Sequence, residues 1–371
     1  MRKAHMTRIG ILALMTLLST ACVSSPKQAV QDVKPTSAPK TNLKADESVL
    51  LFPTNAQLDS KTQQWRVQVH GWIFEPEKDS AWRNSTIAAL KLTLDIEKDT
   101  PEAKRFEERI AMFLVDNKDE KNIAVQVGDK TFPAPMTEGN GHFDFTVHIA
   151  ADTNNCQDWF ALKIVTPAKY KRHFTGGAQC IKDHGISVIS DIDDTVKQSN
   201  VLDKKQLMKN TFLKEFSAVP GMADVYQHWQ GQGAVFHYVS SSPWQLYPSL
   251  AAFFTHSGLP KGSMHLKLFR LKDSSFFNMF DSPEEGKIPT ITKLLEAYPQ
   301  RQFILVGDSG EKDPEIYATI AQRYPKQIKA IYIHDINDSQ QRLNALYKDL
   351  KQARWLGFKD AKQILPHYAQ P

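Results

Sequence analysis

The chain from residue 49 to residue 180 alternates apolar and polar positions in several short runs. The clearest runs are Trp65–His70 and Phe143–Ile149, with two more apolar runs at 123–127 and 159–165. A period of two is typical of strands with one buried and one solvated face. The pattern predicts a mainly β, sandwich-like domain over residues 49–180.

One segment inside this domain has a helical period instead. The stretch from Pro101 to Leu114 places Phe106 and Ile110 on one face and acidic residues on the other. Apolar positions three and four residues apart are typical of an amphipathic helix. The sequence therefore predicts a helical insertion, either one helix or a helical pair.

From residue 181 to residue 371 the pattern changes to continuous apolar runs separated by helical stretches. The apolar runs lie at 186–190, 234–239, 303–306 and 330–333, and the helical stretches at 244–254, 288–298, 314–323 and 339–351. This alternation is typical of a parallel sheet covered on both faces. It predicts an α/β domain with a Rossmann-like parallel sheet, whose site lies at the carboxyl ends of the strands.

The amino-terminal residues have the pattern of a signal for export. A basic start is followed by an apolar stretch, Ile9–Leu18, that is too short to span a bilayer, and then by small residues up to Ala21. Cys22 resembles the lipobox cysteine of bacterial lipoproteins, and ordinary cleavage after Ala21 is the alternative. We expect a signal peptide at 1–21 and a lipid-anchored membrane protein of the bacterial cell envelope that faces the periplasm.

Residues 22–48 are rich in Ser, Pro, Lys, Thr and Ala and have no apolar periodicity, which predicts a flexible tether.

Export also bears on the two remaining cysteines, because disulfides persist in oxidising compartments. Cys156 and Cys180 are predicted to pair, and two buried free thiols are the alternative.

The length of the chain indicates the number of domains, and its charge indicates which partners are excluded. The 371 residues exceed what one compact core usually holds, which predicts two domains. Of the 46 basic residues, Arg2, Lys3 and Arg8 precede residue 22, which leaves 43 basic against 41 acidic residues, or +2. Because the remainder has no dense basic run, we exclude nucleic acid as a partner.

Acidic residues follow two of the predicted strands. DIDDT begins at Asp191 and GDSGEKD ends at Asp313. If the strands are neighbours, Asp191, Asp193 and Asp308 converge, and their repulsion would raise their pKa values unless a cation is bound. Oxygen ligands without His or Cys suit Mg²⁺, so these three residues are the predicted metal ligands.

The same residues can carry phosphoryl transfer. The Asp191 carboxylate could attack phosphorus to form an acyl phosphate, while Asp193 could protonate the leaving oxygen and later activate water. Ser240, in the SSSP segment at another strand end, and Lys287 could hold the phosphoryl oxygens. Ser241 is the alternative to Ser240.

Taken in order, D-x-D-x-T, Ser, Lys and GDxxxxD resemble the four motifs of the haloacid dehalogenase phosphatases. VISDIDDTVKQSNV, HYVSSSPWQLYPSL, GSMHLKLFRLKD and ILVGDSGEKDPEIY resemble the catalytic domain of the actin-patch-associated phosphatidate phosphatase family, which is related to the lipin-type phosphatases. The resemblance covers residues 185–336 and implies a haloacid dehalogenase fold. It implies Lys287 rather than Lys293, with Thr195 and Asp313 in supporting roles.

Two intervals bear on the substrate. Only 196–232 separates the first motif from the second strand, and only 244–286 separates the second motif from Lys287. These intervals leave little room for a separate cap, so a minimal cap and an open site are expected, which suits a headgroup projecting from a membrane.

Three functions follow from the sequence. The preferred one is a Mg²⁺-dependent phosphatidate phosphatase at a membrane surface. The alternatives are a phosphatase of phosphoproteins or of other phosphomonoesters, and a non-catalytic anion-binding lipoprotein. The retention of both Asp191 and Asp193 argues against the last, because a binding protein needs no nucleophile beside an acid.

Overall fold

The computed structural model describes residues 32–37, 40–77, 80–151, 156–167, 170–269 and 283–369. The predicted signal peptide, Cys22 and the first part of the predicted tether lie outside these residues. No helix in the described ranges is long and apolar enough to cross a membrane.

Ten strands form the amino-terminal sheet. They are β1 Asp32–Val33, β2 Ser48–Leu51, β3 Thr54–Asp59, β4 Gln64–Glu75, β5 Asp116–Asn117, β6 Ala124–Val127, β7 Lys130–Pro133, β8 His142–Ala150, β9 Trp159–Ile164 and β10 Thr175–Ile181. Their order is β1-β8-β4-β3-β10-β9-β6-β7, and β2 and β5 also pair with β4. The pairs are antiparallel except β1 with β8 and β3 with β10.

The long strand β4 explains why these strands form a single sheet where the sequence predicts a sandwich-like domain. Its first residues pair with β3, its last residues pair with β2 and β5, and β8 runs along most of its length. Apolar residues of β4 are buried at alternate positions, as the period of two predicts. One strand thus pairs with four others, β2, β3, β5 and β8.

The helical insertion is a pair, α1 Ala81–Thr93 and α2 Pro101–Ala111. The Ser80 hydroxyl accepts a hydrogen bond from the Arg83 amide, and Thr100 caps α2 in the same way. The buried face of α2 packs towards the second sheet, where Phe106 contacts Phe212 at a ring-centroid distance of 6.2 Å. The insertion therefore covers part of the α/β region.

Six strands form the second sheet, and all neighbouring pairs are parallel. They are β11 Ile186–Ser190, β12 Val235–Pro243, β13 Ser263–Lys267, β14 Gln302–Asp308, β15 Ile328–His334 and β16 Arg354–Phe358, in the order β13-β12-β11-β14-β15-β16. The four predicted strands are the central ones. The edge strands β13 and β16 were not predicted, because their partly exposed residues make no continuous apolar run.

Seven described helices accompany this sheet. They are α3 Lys204–Phe212, α4 Met222–Gly231, α5 Tyr247–His256, α6 Pro283–Ala297, α7 Asp313–Arg323, α8 Gln340–Tyr347 and α9 Ile364–Ala369. The helix predicted at 244–254 begins as a 3₁₀ turn, Trp244–Leu246, before α5. Mixed α/β architecture with a parallel sheet is thus present as predicted.

The two sheets share a hydrophobic core, and the chain passes from one to the other between Ile181 and Ile186. Phe52, between β2 and β3, packs against Trp244 with the two rings tilted at 38° and their centroids 4.2 Å apart. The Met264 amide donates a hydrogen bond to the Pro53 carbonyl at 3.0 Å. Because the rings of Phe52 and Trp244 are buried against each other, they hold the first sheet next to the helical segment that follows β12.

Cys156 and Cys180 are joined in a disulfide with a Cα–Cα distance of 6.2 Å, and the bridge links β10 to a position 24 residues earlier in the chain. In the chain-entropy account a loop of this length contributes about 3 kcal/mol to the free energy of unfolding. We expect the Cys156→Ser, Cys180→Ser double variant to unfold at a lower urea concentration than the oxidised wild type. Two free thiols in mass spectra of unreduced protein from the cell envelope would contradict the pairing.

Candidate active site

The parallel sheet reverses its strand order at β11. The chain leaves β11 for β12 and β13 on one side, whereas β14 to β16 lie on the other side. Ligands of open parallel sheets bind where the strand order reverses, outside the carboxyl ends of the strands. Asp191 directly follows β11 and Asp308 ends β14, so both stand at this point. The Asp191 amide donates to the Val306 carbonyl at 2.9 Å and ties the two strand ends together.

A group of three carboxylates lies at this edge. Asp191, Asp308 and Glu311 each offer an oxygen within 4.8 Å of the other two. Asp308 Oδ1 accepts hydrogen bonds from the amides of Gly310 at 2.6 Å and Glu311 at 3.1 Å. The buried Asp308 Oδ2 has no hydrogen-bond partner within the described part of the chain. An oxygen-only donor set with one unpaired buried oxygen fits a hard cation such as Mg²⁺.

The electrostatics of this group favour a bound cation. Burial raises the pKa of Asp191 well above its ordinary value; Lys287 lowers it in part, and Asp313, Glu311 and Asp308 raise it further. Burial and the neighbouring carboxylates also raise the pKa of Asp308 and of Glu311. A cation among these oxygens would remove the cost of holding them ionised.

Lys287 supplies the positive charge of the site. It lies on α6, and its buried Nζ is 2.9 Å from Asp191 Oδ1, 2.6 Å from Asp313 Oδ1 and 3.2 Å from Glu311 Oε2. Burial alone lowers the pKa of Lys287, but these carboxylates hold it well above the ordinary value. Lys293, the other lysine considered, is exposed and acts electrostatically on Asp144 instead.

Asp193 lies beside this group but has different partners. Its Oδ1 is 2.6 Å from Lys197 Nζ and accepts from the Ser199 hydroxyl at 2.6 Å. Its Oδ2 accepts from Ser242 at 2.9 Å and from Ser240 at 3.4 Å. Burial tends to raise the pKa of Asp193, but Lys197 and the hydroxyls bring it below the ordinary value. The structure thus groups Glu311, and not Asp193, with Asp191 and Asp308 as a set that could hold a metal.

The serines at the end of β12 differ in their surroundings. Ser240 and Ser242 both face Asp193, and the Ser240 oxygen also accepts from the Ser242 amide at 3.0 Å. The Ser241 hydroxyl is buried without a hydrogen-bond partner in the described part of the chain. Ser240 and Ser242, and not Ser241, are therefore directed to Asp193. Ser242 is an additional member that the sequence did not single out.

Sequence reasoning also missed three charged or polar residues of the site. Glu311 stands inside the GDSGEKD motif, and its acidic type was the available signal. Lys197 and Ser199 follow DIDDT but carry no pattern that points to Asp193. Their positions depend on a turn in which the Asp194 amide donates to the Lys197 carbonyl at 2.7 Å.

Asp194 holds the loop after DIDDT in place. It has a positive φ of 51°, a conformation that Asp and Asn adopt more readily than most residues. Its Oδ1 accepts from the amides of Ser199 at 2.7 Å and Asn200 at 2.9 Å, and its Oδ2 accepts from Val201 at 2.6 Å. Thr195 follows, fully buried, with its hydroxyl 3.5 Å from Asp191 Oδ2.

Asp313 links the helix α7 to the end of β14. Its Oδ2 accepts from the Asp308 amide at 3.3 Å while its Oδ1 pairs with Lys287. A Cβ at Gly307 would lie 2.3 Å from Asp313 Oδ2, so a side chain at 307 would push this carboxylate away. Asp313 therefore positions Lys287 and the Asp308 backbone, which is the geometry of a supporting residue.

Arg342 fixes the loop that carries Glu311. From α8 it forms a two-point pair with Glu315, Nε to Oε1 at 2.8 Å and Nη2 to Oε2 at 2.6 Å. It also donates to the carbonyls of Ser309 at 2.7 Å and Glu311 at 3.1 Å. A planar guanidinium can hold all of these acceptors at once, whereas a lysine ammonium cannot reproduce the geometry.

Comparison with known proteins finds sequence similarity over the region that carries this site. Residues 186–335 match the family profile described as the catalytic domain of phosphatidate phosphatase APP1. This region of the chain is therefore similar to that catalytic domain. Phosphatidate phosphatase APP1 of Saccharomyces cerevisiae is 36% identical over 166 residues, which cover 44% of this chain and 28% of the relative.

One further relative is similar in sequence, and one solved structure is similar in fold only weakly. An uncharacterized protein of Schizosaccharomyces pombe is 34% identical over 223 residues, 58% of this chain and 36% of that protein. The chain thus spans only about a third of the length of these relatives. The solved structure of the class C acid phosphatase from Bacillus anthracis with tungstate bound aligns over 44% of this chain and 78% of that chain. Its TM-score of 0.27 and 13% identity are too low to support an argument.

The Asp194 loop gives a prediction about stability. Asp194→Asn keeps the size of the side chain but turns one acceptor into a donor, which faces the amide of Ser199, Asn200 or Val201. An unsatisfied part-buried donor costs about 1–3 kcal/mol, so we expect a loss of this size in the free energy of unfolding, measured by urea denaturation.

Asp203→Asn is the matched control for this experiment. Asp203 caps α3 by accepting from the amides of Lys205 and Gln206, and Asn is an equally good helix cap. We expect no change in this variant. Equal stability of both variants would show that Asp194 does not hold the loop.

Proposed function

We propose that this chain is a Mg²⁺-dependent phosphoric monoester hydrolase that removes phosphate from phosphatidate at a membrane surface. The observation that carries the proposal is that Asp191, the predicted nucleophile, lies 2.9 Å from Lys287 and has a carboxylate oxygen within 4.8 Å of oxygens of Asp308 and Glu311. The match of this region to the phosphatidate phosphatase catalytic domain supports the reaction class and the substrate class.

The proposed reaction begins with the Asp191 carboxylate attacking phosphorus. Oxygen–phosphorus bond formation expels the lipid alcohol and leaves an aspartyl phosphate, which splits hydrolysis into two displacements. Lys287 Nζ, 2.9 Å from Asp191 Oδ1, is positioned to offset negative charge on the phosphoryl oxygens. The Ser240 hydroxyl, at the neighbouring strand end, is the second group proposed to bind these oxygens.

Asp193 is the proposed proton carrier. Hydrogen bonds from Ser199 and Ser242 and the ion pair with Lys197 orient its two oxygens beside the nucleophile. In the proposal Asp193 acts in its protonated form, which its lowered pKa makes the minor form before substrate binds. It passes that proton to the leaving alcohol oxygen and later accepts one from the water that attacks the aspartyl phosphate. The two roles need one carboxyl group that reaches both the alcohol and the water.

Asp191, Asp308 and Glu311 are the residues proposed to hold Mg²⁺. The unpaired oxygen of Asp308 and the oxygen-only donor set support this assignment. When bound, Mg²⁺ would supply charge stabilisation to the phosphoryl oxygens. The sequence-based assignment of Asp193 as a further ligand stays a prediction.

The substrate proposal rests on access as well as on the family. The described chain between β11 and β12 holds only the short helices α3 and α4, which supports a haloacid dehalogenase fold with a minimal cap. A site without a large cap admits a headgroup that remains attached to a bilayer. Export and acylation of Cys22, as the sequence predicts, would keep the site close to such a surface.

Asp191→Asn tests the nucleophile. The amide has the same shape but cannot form the acyl phosphate, so we expect kcat to fall by at least about 10³-fold while the melting temperature changes little. Asp224→Asn, on the exposed first turn of α4, is the matched control and should retain full activity. Wild-type turnover by Asp191→Asn would eliminate the proposed mechanism.

Asp308→Asn tests the metal. Loss of one anionic ligand should raise the Mg²⁺ concentration needed for half-maximal phosphate release by at least about tenfold. Treatment of the wild type with a chelator should abolish activity, and added Mg²⁺ should restore it. Activity that survives chelation unchanged would show that the carboxylate group works without a cation.

A substrate panel tests the lipid assignment. We expect higher kcat/KM for phosphatidate in vesicles than for glycerol phosphate, sugar phosphates or a phosphoprotein, because an open site gains little from enclosing a small ester. Comparable values for the soluble esters would favour a general phosphomonoesterase. Failure to hydrolyse any ester, with phosphate still bound, would favour the anion-binding lipoprotein.

A further inference from the structure

A cavity of about 490 Å³ lies where the amino-terminal sheet meets the α/β region. One wall comes from β9 and β10, and the other comes from α5 and the segment that leads into β13. Its volume falls in the range of about 300–1,000 Å³ that is typical of small-molecule sites. None of the carboxylates, serines or lysines of the candidate active site lines it.

The cavity follows the axis of one helix. Tyr247, Ala251, Phe254 and Thr255 line it from α5, and this spacing puts all four side chains on one helix face. Eight residues separate the first from the last, which corresponds to a length of about 12 Å along the helix. The opposite wall includes two consecutive glycines, 176 and 177, where a Cβ would lie 2.5 Å from the Leu51 side chain and 3.1 Å from the Trp159 ring, respectively. The result is an elongated slot rather than a round pocket.

The slot is apolar inside and has a positive charge at its surface. Phe160, Phe254, Leu259 and Met264 are buried lining residues. Lys261 is exposed and is the one charged residue among the described lining residues. An elongated apolar interior complements a linear hydrocarbon chain, and a single lysine at the surface complements one negative group at the end of that chain.

We propose that this slot binds a single-chain anionic amphiphile, with the hydrocarbon chain along α5 and a carboxylate or phosphate head at Lys261. The proposal goes beyond the hydrolase assignment, because the slot shares no residue with the active site. Binding is non-covalent and leaves the catalytic groups unchanged. The slot contacts both sheets, so an occupant buries its chain against the two parts of the fold together.

Titration calorimetry with alkyl carboxylates of 8, 10 and 12 carbons tests the proposal at concentrations below their micelle formation. Burial of each added methylene should tighten Kd by about three- to fourfold while the slot is being filled. Absence of saturable binding by the 12-carbon carboxylate, or affinity that does not depend on chain length, would overturn the proposal. Asp191→Asn should bind the same probes as the wild type does, so loss of catalysis and loss of this site are separable.

Neighbouring positions on α5 provide a matched pair of variants. Ala251→Trp places an indole inside the slot and should weaken binding of the 12-carbon carboxylate by at least about tenfold. Ala252→Trp adds the same group at the next residue, which is exposed and does not line the slot, and should bind like the wild type. Equal affinity of the two variants would place the ligand elsewhere.

Lys261→Glu tests whether Lys261 binds the anionic head of the ligand. It changes only an exposed side chain, so it still tests the proposal if Ala251→Trp fails to fold. We expect this variant to lose affinity for the 12-carbon carboxylate and for dodecyl phosphate, while affinity for decanol stays the same. Equal affinity of wild type and variant for both anions would overturn the assignment of the anionic end. Of the two anionic probes, tighter binding of the carboxylate identifies a fatty acid as the natural class, and tighter binding of the phosphate identifies a lysophosphatidate-type lipid.

Discussion

The buried ammonium of Lys287 is the interaction on which the candidate site depends. It contacts three carboxylates from two segments: Asp191 after β11, and Glu311 and Asp313 after β14. A buried charge is stable only when it is paired, and removal of one partner typically costs about 3–5 kcal/mol. One lysine therefore fixes the distance between the two central strand ends and the helix α6. With Asp308, four carboxylates lie near this one ammonium, and the excess of negative charge supports the proposed Mg²⁺.

The remaining polar contacts hold the loops that present these groups. Asp194 binds the amides of the segment after DIDDT, and Arg342 binds the carbonyls on either side of Gly310. Both act on backbone atoms, so they set the positions of neighbouring side chains without contacting the reacting groups. Rigid loops of this kind preserve the geometry that an in-line displacement requires. The shared core around Phe52 and Trp244 then joins the amino-terminal sheet to the helix after β12.

In the parallel sheet, the strands that are buried on both faces could be predicted from the sequence, and the partly exposed edge strands could not. The four central strands β11, β12, β14 and β15 are buried on both faces and appear in the sequence as apolar runs. The edge strands β13 and β16 are partly exposed and carry no such run. In the amino-terminal part, the strand periods were visible, but the continuity of the sheet through β4 was not. It depends on which strands pair along the two edges of β4, and side-chain alternation does not contain that information.

The sequence by itself indicated where the candidate site residues lie. An acidic residue directly after a buried apolar run has few purely structural roles, so it can be recognised as a candidate. Asp191, Asp308, Lys287 and Ser240 were identified in this way or through family resemblance, and the fold brings them to one edge of the sheet. Only the tertiary structure decided which groups touch. In the tertiary structure Glu311 lies with Asp191 and Asp308, and Asp193 contacts Lys197 and the serines. The slot beside α5 is also a feature of the packed fold. These outcomes depend on backbone turns and on contacts between segments far apart in the chain, and distances of that kind are set only when the core has packed.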